Sequence, residues 1–391
     1  MMEFSLLLLA GIAASIFVGF NIGGSSTGVA WGPAVGAGLI KKTTAAAIMT
    51  FFVFLGGWTV GRNVIQTLSG DIITTSISLE AGVAILFFIG LGILVANVFG
   101  VPVPTSMTTV GAIAGLGLAT GTLRWDTIGR IVSWWIVTPV IGFWIGAFVG
   151  RYLYPYLDRR FTVTSTKGPL VTINRERRGP RVELGPETTC NELFGTILVF
   201  AVACYMAFSA GASNIPNAVA PLVSEGAIAE NPAILIATVA IGIGGFTIAR
   251  RTMESVGSEL SDLSLLTAVV VMITAATITT VLSYIGIPIS LVMATVMTIV
   301  GIGWGRASRA ISMEEVIRRD LSGQETAPMG ALTVDTPSDF PEIGEPESPE
   351  VMDAGELFDR RVVAKFVSMW IIGPCLSLGL AYLFFMLTPV V

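Results

Sequence analysis

Long apolar runs are the feature that most limits what this chain can fold into. Four of them lie close to the ~20 residues that a bilayer-spanning helix needs: Phe4–Gly19, Ala45–Val60, Ala81–Phe99 and Leu263–Ile285. Only 13% of the 391 residues are charged, against about a quarter in soluble domains. Because hydrocarbon satisfies no backbone polar group, such runs must be helical. The sequence therefore predicts an all-α polytopic protein of the cell membrane.

Polar stretches interrupt two of these predicted membrane helices. The stretch 208–222 contains two Asn, two Ser, two Pro and a Gly, and Gly19–Gly28 has a similar character. Lipid cannot satisfy these groups, so both stretches must be enclosed by protein or line a watery cavity. We expect the helices to break there, with Gly23, Gly24 and Gly211 as hinges. Polar breaks at corresponding positions of two halves are typical of a transporter's binding site.

The second half of the chain repeats the first, element by element. The basic residues that flank short loops change sides between the halves, which predicts two inverted-topology repeats with re-entrant half-helices. The matching segments are Gly56–Arg62 with Gly244–Arg250, Pro102–Met107 with Pro288–Met293, and Ser133–Pro139 with Ser368–Pro374.

Two polar segments separate the membrane parts. The acidic segment from Asp320 to Asp359 holds eleven acidic residues, five Pro and no Lys or Arg, a composition typical of disorder. We interpret it as a solvated linker, with a regulatory or partner-binding segment as the alternative. The predicted division is 1–154 (first membrane repeat), 155–190 (cytoplasmic polar linker), 191–310 (first part of the second repeat), 311–360 (acidic disordered loop) and 361–391 (final membrane helix).

Four polar clusters should converge if the halves fold back on each other: Asn21–Thr27, Thr105–Thr109, Ser213–Asn217, and Ser290 with Thr295. Two of them begin proline-led half-helices, whose free N–H groups attract an anion. The alternative for any single hydroxyl is that it only holds helices together. The predicted anion- and ion-binding residues are Asn21, Ser25, Ser26, Thr27, Thr105, Ser106, Thr108, Ser213, Asn214, Asn217 and Ser290.

The residue types that the chain lacks exclude several classes of function. It has no His and only three Cys without metal-site spacing, so zinc or haem chemistry is not expected. No nucleophile–base or acid–base pair is visible, which disfavours an enzyme. We expect no cofactor and no nucleic-acid partner. A coupling Na⁺ would have to be held near Asn21, Asn214 and Asn217, and the Trp- and Gly-rich outer helix faces would permit a homodimer.

Gly211–Ala218 reads Gly-Ala-Ser-Asn-Ile-Pro-Asn-Ala and resembles the repeated Gly-Ala-Asn-Asp-x-Ala-Asn-Ala motif of the PiT inorganic phosphate transporter family. Gly19–Ser26 matches the same motif more loosely. The resemblance implies a secondary active transporter that moves a small tetrahedral oxyanion, phosphate by family default, by alternating access with Na⁺ or H⁺ coupling. The chain departs from the family at both motif aspartates, where it has Ile22 and Asn214. It also departs at both later histidines, where it has Met107 and Met293. The sequence around Asn21 and Gly211 is closer to that of the sulfate-permease branch of the same superfamily.

The missing aspartates favour sulfate on physical grounds. Phosphate near neutral pH keeps at least one proton, which a carboxylate can accept as a hydrogen bond, whereas sulfate has none to donate. An aspartate facing sulfate would therefore repel it without compensation. Phosphate and sulfate both stay open at this point, as do a passive anion channel and a non-transporting anion sensor.

Overall fold

The computed structural model describes residues 2–25, 42–98, 104–154, 156, 171–176, 179–184, 190–247, 265–308 and 360–388. These residues form eleven α-helices and one β-hairpin. Short π-helical turns, Thr67–Asp71 and Val149–Leu153, follow α3 and α6. The helices are α1 Met2–Ser25, α2 Lys42–Thr59, α3 Gly61–Gln66, α4 Leu79–Val98, α5 Thr105–Thr120, α6 Trp125–Phe148, α7 Cys190–Val223, α8 Glu230–Thr247, α9 Leu265–Tyr284, α10 Leu291–Ala307 and α11 Arg360–Leu387.

Seven of the helices in the described ranges are long and apolar enough to cross a bilayer: α1, α4, α6, α7, α8, α9 and α11. A bent pair, Thr43–Thr59 with Gly61–Asp71, passes the same test and turns by 59° at its break. The polytopic prediction is therefore confirmed. α5 and α10 have only 16 and 17 residues, which extend about 24–26 Å at 1.5 Å per residue and fall short of the ~30 Å hydrocarbon core. Their length agrees with the half-helices that the sequence predicts.

The predicted breaks in the two polar stretches are wrong. α7 runs without interruption over 34 residues with Pro216 and Pro221 inside it, and α1 continues through Asn21 to Ser25. Residues 209–222 are all buried, so the prediction that the stretch of α7 is enclosed by protein is correct. Enclosure also explains the continuity, because neighbouring helices can satisfy the groups that a proline frees.

The polar linker contains a β-hairpin, which lies outside the helices of the membrane part. β1 (Val171–Glu176) pairs antiparallel with β2 (Gly179–Leu184). Val171 and Ile173 alternate with polar residues and lie opposite Leu184 and Val182. Such a period-2 alternation of apolar and polar residues is typical of a β-strand.

Helix packing is exchanged between the two halves. α1 packs on α8 as α7 packs on α2, and α5 packs on α11 as α10 packs on α6. The closest approaches occur at glycines: a Cβ at Gly56 would lie 1.9 Å from the Phe208 carbonyl oxygen, and one at Gly244 would lie 2.1 Å from that of Phe20. The second pair of interfaces repeats the arrangement, since a Cβ at Gly115 would lie 2.6 Å from the carbonyl oxygen of Leu378, and one at Gly301 would lie 2.0 Å from that of Phe143.

These contacts revise the register of the repeat in α1. A Cβ at Gly23 would lie 2.1 Å from the Ile241 carbonyl oxygen, and one at Gly211 would lie 2.0 Å from that of Val53. Gly23, and not Gly19, is therefore the counterpart of Gly211, one helical turn further along. The position that corresponds to Asn214 shifts from Ile22 to Ser26, which lies outside the described residues. Ile22 itself is fully buried in the apolar core.

Candidate functional site

Five of the predicted site residues come together where α5 begins against the middle of α7. Thr105 and Ser106 open α5, while Ser213 and Asn214 lie one turn before Asn217 on one side of α7. All five are buried. Residues three and four apart share a helix face, so the spacing within Ser213–Asn217 was a sound indication that these side chains act together. We call these five residues the α5–α7 cluster.

Asn217 is the centre of the cluster. Its Nδ2 lies near Thr105 Oγ1 (3.2 Å), Ser106 Oγ (3.1 Å) and the Ser213 carbonyl oxygen (3.0 Å), and its two protons are shared among these three acceptors. A carbonyl oxygen can only accept, so the bond to Ser213 fixes which end of the amide is the nitrogen. Asn217 Oδ1 then has no hydrogen-bond partner within the described part of the chain, although the side chain is fully buried.

The hydroxyls of Thr105 and Ser106 extend the hydrogen-bond network beyond Asn217. Thr105 Oγ1 donates to Asn214 Oδ1 (2.8 Å), and Ser106 Oγ donates to the Ile289 carbonyl oxygen (3.0 Å). Each hydroxyl has a single proton, and in this arrangement each proton is already committed to a protein acceptor. The hydroxyls therefore do not supply donors to a ligand here, and that task passes to main-chain N–H groups.

The N-terminus of α5 offers such N–H groups. Pro104 precedes the helix and has no side-chain cap to offer, so the first-turn N–H groups of Thr105, Ser106 and Met107 have no intrahelical acceptor. Uncapped N–H groups and the positive end of the helix dipole attract an anion. α10 differs, because Ser290 Oγ accepts a hydrogen bond from the Met293 N–H (3.4 Å) and caps that helix. The structure thus leaves α5 better suited than α10 to hold an anion.

The cluster carries no formal charge, since its five side chains are amides and hydroxyls. Over the described ranges, no group of three or more His, Cys, Asp or Glu residues could hold a metal ion. A cation at the cluster would therefore be coordinated by neutral oxygens such as Asn217 Oδ1.

Other predicted site residues lie elsewhere. Asn21 Nδ2 donates to the Phe17 carbonyl oxygen (2.8 Å), and Asn97 Nδ2 of α4 approaches the main-chain oxygen (3.2 Å) and Oδ1 (3.4 Å) of Asn21. Thr108 bonds back to the Pro104 carbonyl oxygen (3.3 Å). A Cβ added at Gly92 of α4 would lie 3.0 Å from the methyl group of Thr108. Both residues connect neighbouring helices, which is the alternative that the sequence left open for single polar side chains.

The remaining predicted positions are only partly described. Ser290 is buried and caps α10, one residue after the Ile289 carbonyl that Ser106 contacts. Ser25 is the last residue of α1, and Ser26 and Thr27 lie outside the described residues. Gly23 and Gly211 are sites of close helix contact, and the Gly24 amide nitrogen lies 3.1 Å from a Cβ built at Gly244. Their proposed hinge role stays a prediction.

Sequence reasoning missed two side chains that the structure makes important. Asn97 pairs with Asn21, and an amide inside the third predicted membrane helix was the available signal. Trp135 Nε1 donates to the Pro288 carbonyl oxygen (2.9 Å). The repeated Ser-Trp…Pro segment pointed to this region but not to that contact.

Comparisons with known proteins agree with this architecture. The family model described as the phosphate transporter family matches residues 22–333. The sulfate permease CysP of Bacillus subtilis is 30% identical over 328 residues, which cover 83% of this chain and 85% of that protein. A Pyrococcus furiosus protein named provisionally as a phosphate permease is 25% identical over 390 residues and covers 83% and 94% of the two chains.

A solved structure titled as the sodium-dependent phosphate transporter has the same fold. It superimposes with a TM-score of 0.66 and 19% identity over 98% of this chain and 100% of that one. The family match covers most of the chain, and the membrane-spanning helices fit it. The chain is therefore a multi-pass membrane protein that belongs to the phosphate transporter family.

Proposed function

We propose that this chain is a secondary active transporter that carries a small tetrahedral oxyanion across the cell membrane, phosphate by family default. The observation that carries the proposal is the uncapped, buried N-terminus of α5, which faces the amides of Asn214 and Asn217 on α7. Buried main-chain N–H groups and neutral amides can replace the hydration shell of an oxyanion without a fixed positive charge. Membership of the phosphate transporter family supports phosphate as the substrate.

The site lies between the halves, which suits alternating access. α5 belongs to the first half and α7 to the second, and the helix contacts are exchanged between the halves. This exchange supports the proposed inverted repeats. Rocking of the helices packed with α5 against the helices packed with α7 would open the α5–α7 cluster to each side of the membrane in turn.

Sulfate is the second candidate, and Asn214 is the observation that favours it. Asn214 occupies the acidic position of the family motif and accepts a hydrogen bond from Thr105 (2.8 Å). An amide here removes the carboxylate that would accept a proton from phosphate and repel sulfate. The 30% identity to a sulfate permease supports the same reading.

Uptake by purified protein in liposomes tests both candidates. Radiolabelled phosphate and sulfate are supplied separately under an imposed Na⁺ or H⁺ gradient, each with and without an excess of the other. We expect concentrative uptake of at least one anion and counterflow of the same anion. Phosphate uptake that excess sulfate leaves unchanged would exclude sulfate. Flux that only follows the anion's own gradient would identify a channel, and absence of flux would contradict transport.

We further propose Na⁺ as the coupling ion. Asn217 Oδ1 is a buried amide oxygen without a partner among the described residues, and such an oxygen suits a hard cation. The test replaces Na⁺ by K⁺ or choline at constant pH, and then imposes a pH gradient without Na⁺. We expect uptake to require Na⁺. Uptake driven by the pH gradient alone would contradict this assignment.

The acidic segment gives the sensor alternative its own test. Deleting residues 320–359 should leave uptake unchanged if the segment is a solvated linker. Binding of the anion without flux in the full-length chain would instead favour a sensor.

A further inference from the structure

Three side chains of the first half hold a short loop of the second half and the helix end just before it. The loop, residues 285–290, joins α9 to α10 and is called the α9–α10 loop. Asn63 Nδ2 of α3 donates to the Tyr284 carbonyl oxygen (2.5 Å), at the end of α9. Trp135 Nε1 of α6 donates to the Pro288 carbonyl oxygen (2.9 Å), and Ser106 Oγ of α5 donates to that of Ile289 (3.0 Å). Three elements of one half thus fix the main chain that leads into a half-helix of the other.

The loop also packs tightly on the first half. Gly286 has φ +76°, and a Cβ there would lie 2.9 Å from Thr67 Oγ1 and 3.2 Å from the Asn63 carbonyl oxygen. Ile287 and Ile289 form an apolar cluster with Leu282, against which Trp134 and Trp135 pack. Pro288, Ile289 and Ser290 are buried, whereas Ile285 is exposed. The loop can therefore move only if these contacts are broken.

Ser106 connects this loop to the α5–α7 cluster. Its hydroxyl accepts from Asn217 (3.1 Å) and donates to Ile289 (3.0 Å). Ser290, the next residue, caps α10. A displacement of the loop therefore changes both the hydrogen bonding of Asn217 and the distance between the N-termini of α5 and α10.

We infer that Trp135 and Asn63 are positioning residues for transport. They hold the α9–α10 loop so that Ser106 keeps its hydrogen bond from Asn217 and the α5–α7 cluster keeps its geometry, and the loop is released when the site opens. Neither residue belongs to the α5–α7 cluster, so each acts through the loop. This inference rests on the proposed transport function and adds the residues that link the site to the movement of the halves.

Trp135→Phe is the direct test, because it keeps an aromatic ring and removes the indole donor, while the loss of ring volume is the same as in Trp134→Phe. The site should be less well organised and the loop easier to release, so we expect the apparent KM for the anion to rise about tenfold without a fall in the maximal rate. A purely structural role would instead lower the amount of folded protein and the maximal rate at constant KM.

Trp134→Phe is the matched control. Trp134 neighbours Trp135, packs against the same apolar cluster, and has no side-chain hydrogen bond to the rest of the described structure. We expect wild-type kinetics from this variant. Asn63→Ala is the second test variant and should raise KM as Trp135→Phe does, which keeps the inference testable if Trp135→Phe does not accumulate.

Cysteine labelling measures the loop directly. Ile289→Cys is introduced into a chain without its three native cysteines, and its reaction with a water-soluble maleimide is followed. Ile289 is fully buried, so labelling should be slow, and Trp135→Phe should accelerate it at least fivefold while Trp134→Phe should not. Equal KM values and equal labelling rates in the two Trp variants would overturn the inference. Absence of uptake by the wild-type protein would overturn the proposed function instead, because the labelling result does not depend on flux.

Discussion

Asn214 is the residue at which one added charge should change the substrate preference most. Its Oδ1 accepts from Thr105 inside a buried cluster of neutral groups. An Asn214→Asp substitution keeps that acceptor and adds a carboxylate that can accept a proton from phosphate but not from sulfate. We expect the ratio of phosphate to sulfate uptake to rise about tenfold, which corresponds to about 1.4 kcal/mol. Competition between the two labelled anions in liposomes measures this ratio.

Asn97→Asp is the control for this substitution. It introduces the same carboxylate beside Asn21, outside the α5–α7 cluster, and should leave the ratio unchanged. A ratio that is the same in Asn214→Asp and in the wild type would mean that Asn214 does not face the anion.

Replacing Asn217 and replacing Asn21 should have different effects on transport, although both residues are amides in polar stretches. Asn217→Ala removes the donor to Thr105, Ser106 and the Ser213 carbonyl, so the site loses its geometry and apparent KM should rise about tenfold or more, at least ~1.4 kcal/mol of binding free energy. Asn21→Ala removes a contact between α1 and α4 and should lower thermal stability at unchanged KM. Uptake kinetics and a thermal-shift assay of both variants separate the two roles. Equal KM changes would place Asn21 at the site after all.

The sequence indicated which amides are important but not which neighbouring helix each of them faces. The Gly/Pro/Asn composition marked both stretches as too polar for lipid, and the prediction that the stretch of α7 is enclosed holds. Which face of α1 or α7 meets α5 depends on the rotation of each helix against its neighbours, which the local pattern does not contain. For this reason Asn21 and Thr108 were grouped with Asn217, and Asn97 and Trp135 were missed.

At the scale of elements, the glycines of the exchanged interfaces are the most sensitive positions. A Cβ at Gly56 or Gly244 would meet a backbone carbonyl at 1.9 or 2.1 Å, and backbone cannot move aside as a flexible side chain can. Gly56→Ala and Gly244→Ala should each destabilise the fold by about 1–3 kcal/mol or more, seen as lower thermal stability in detergent.

Gly129→Ala and Gly379→Ala are the controls for this prediction. Both lie inside helices, α6 and α11, and a Cβ at either position would have no neighbour within 4 Å. They should be neutral or slightly stabilising, since alanine favours a helix over glycine by about 1 kcal/mol. Similar losses in all four variants would mean that helix propensity and not close packing determines the effect.

Element boundaries were predictable where one local signal acted alone. Pro104 followed by Thr105 and Ser106 indicated the start of α5, and the apolar run from Glu80 to Asn97 gave α4 within one residue at each end. Pro216 and Pro221 were misleading, because the local cost of a proline is outweighed by the packing around α7. The hairpin was missed because its alternation, Val171 and Ile173, lies within a segment dominated by charge.

At the scale of the whole molecule, the exchanged packing makes each half depend on the other. α1 of the first half packs on α8 of the second, and α7 packs on α2, with glycine contacts that correspond pair by pair. Neither half can therefore bury its own helices alone. The α5–α7 cluster and the α9–α10 loop each join a helix of the first half to a segment of the second, so both depend on this exchanged packing.

The inverted relation of the halves is the remaining prediction at this scale. The basic residues Arg250 and Arg251 favour a cytoplasmic position for the loop after α8, whereas Asp71 and Glu80 flank the corresponding loop after the first bent pair. Ser76 is exposed in that first loop, and Ser261 lies between α8 and α9 in the second half. Ser76→Cys and Ser261→Cys, each in a chain free of other cysteines, should therefore label from opposite sides of the membrane. In intact cells a membrane-impermeant maleimide should modify only Ser76→Cys, and permeabilised cells should show both. Labelling of both variants from the outside would mean that the two repeats have the same orientation in the membrane. The proposed symmetric exchange between outward- and inward-facing states would then have no structural basis.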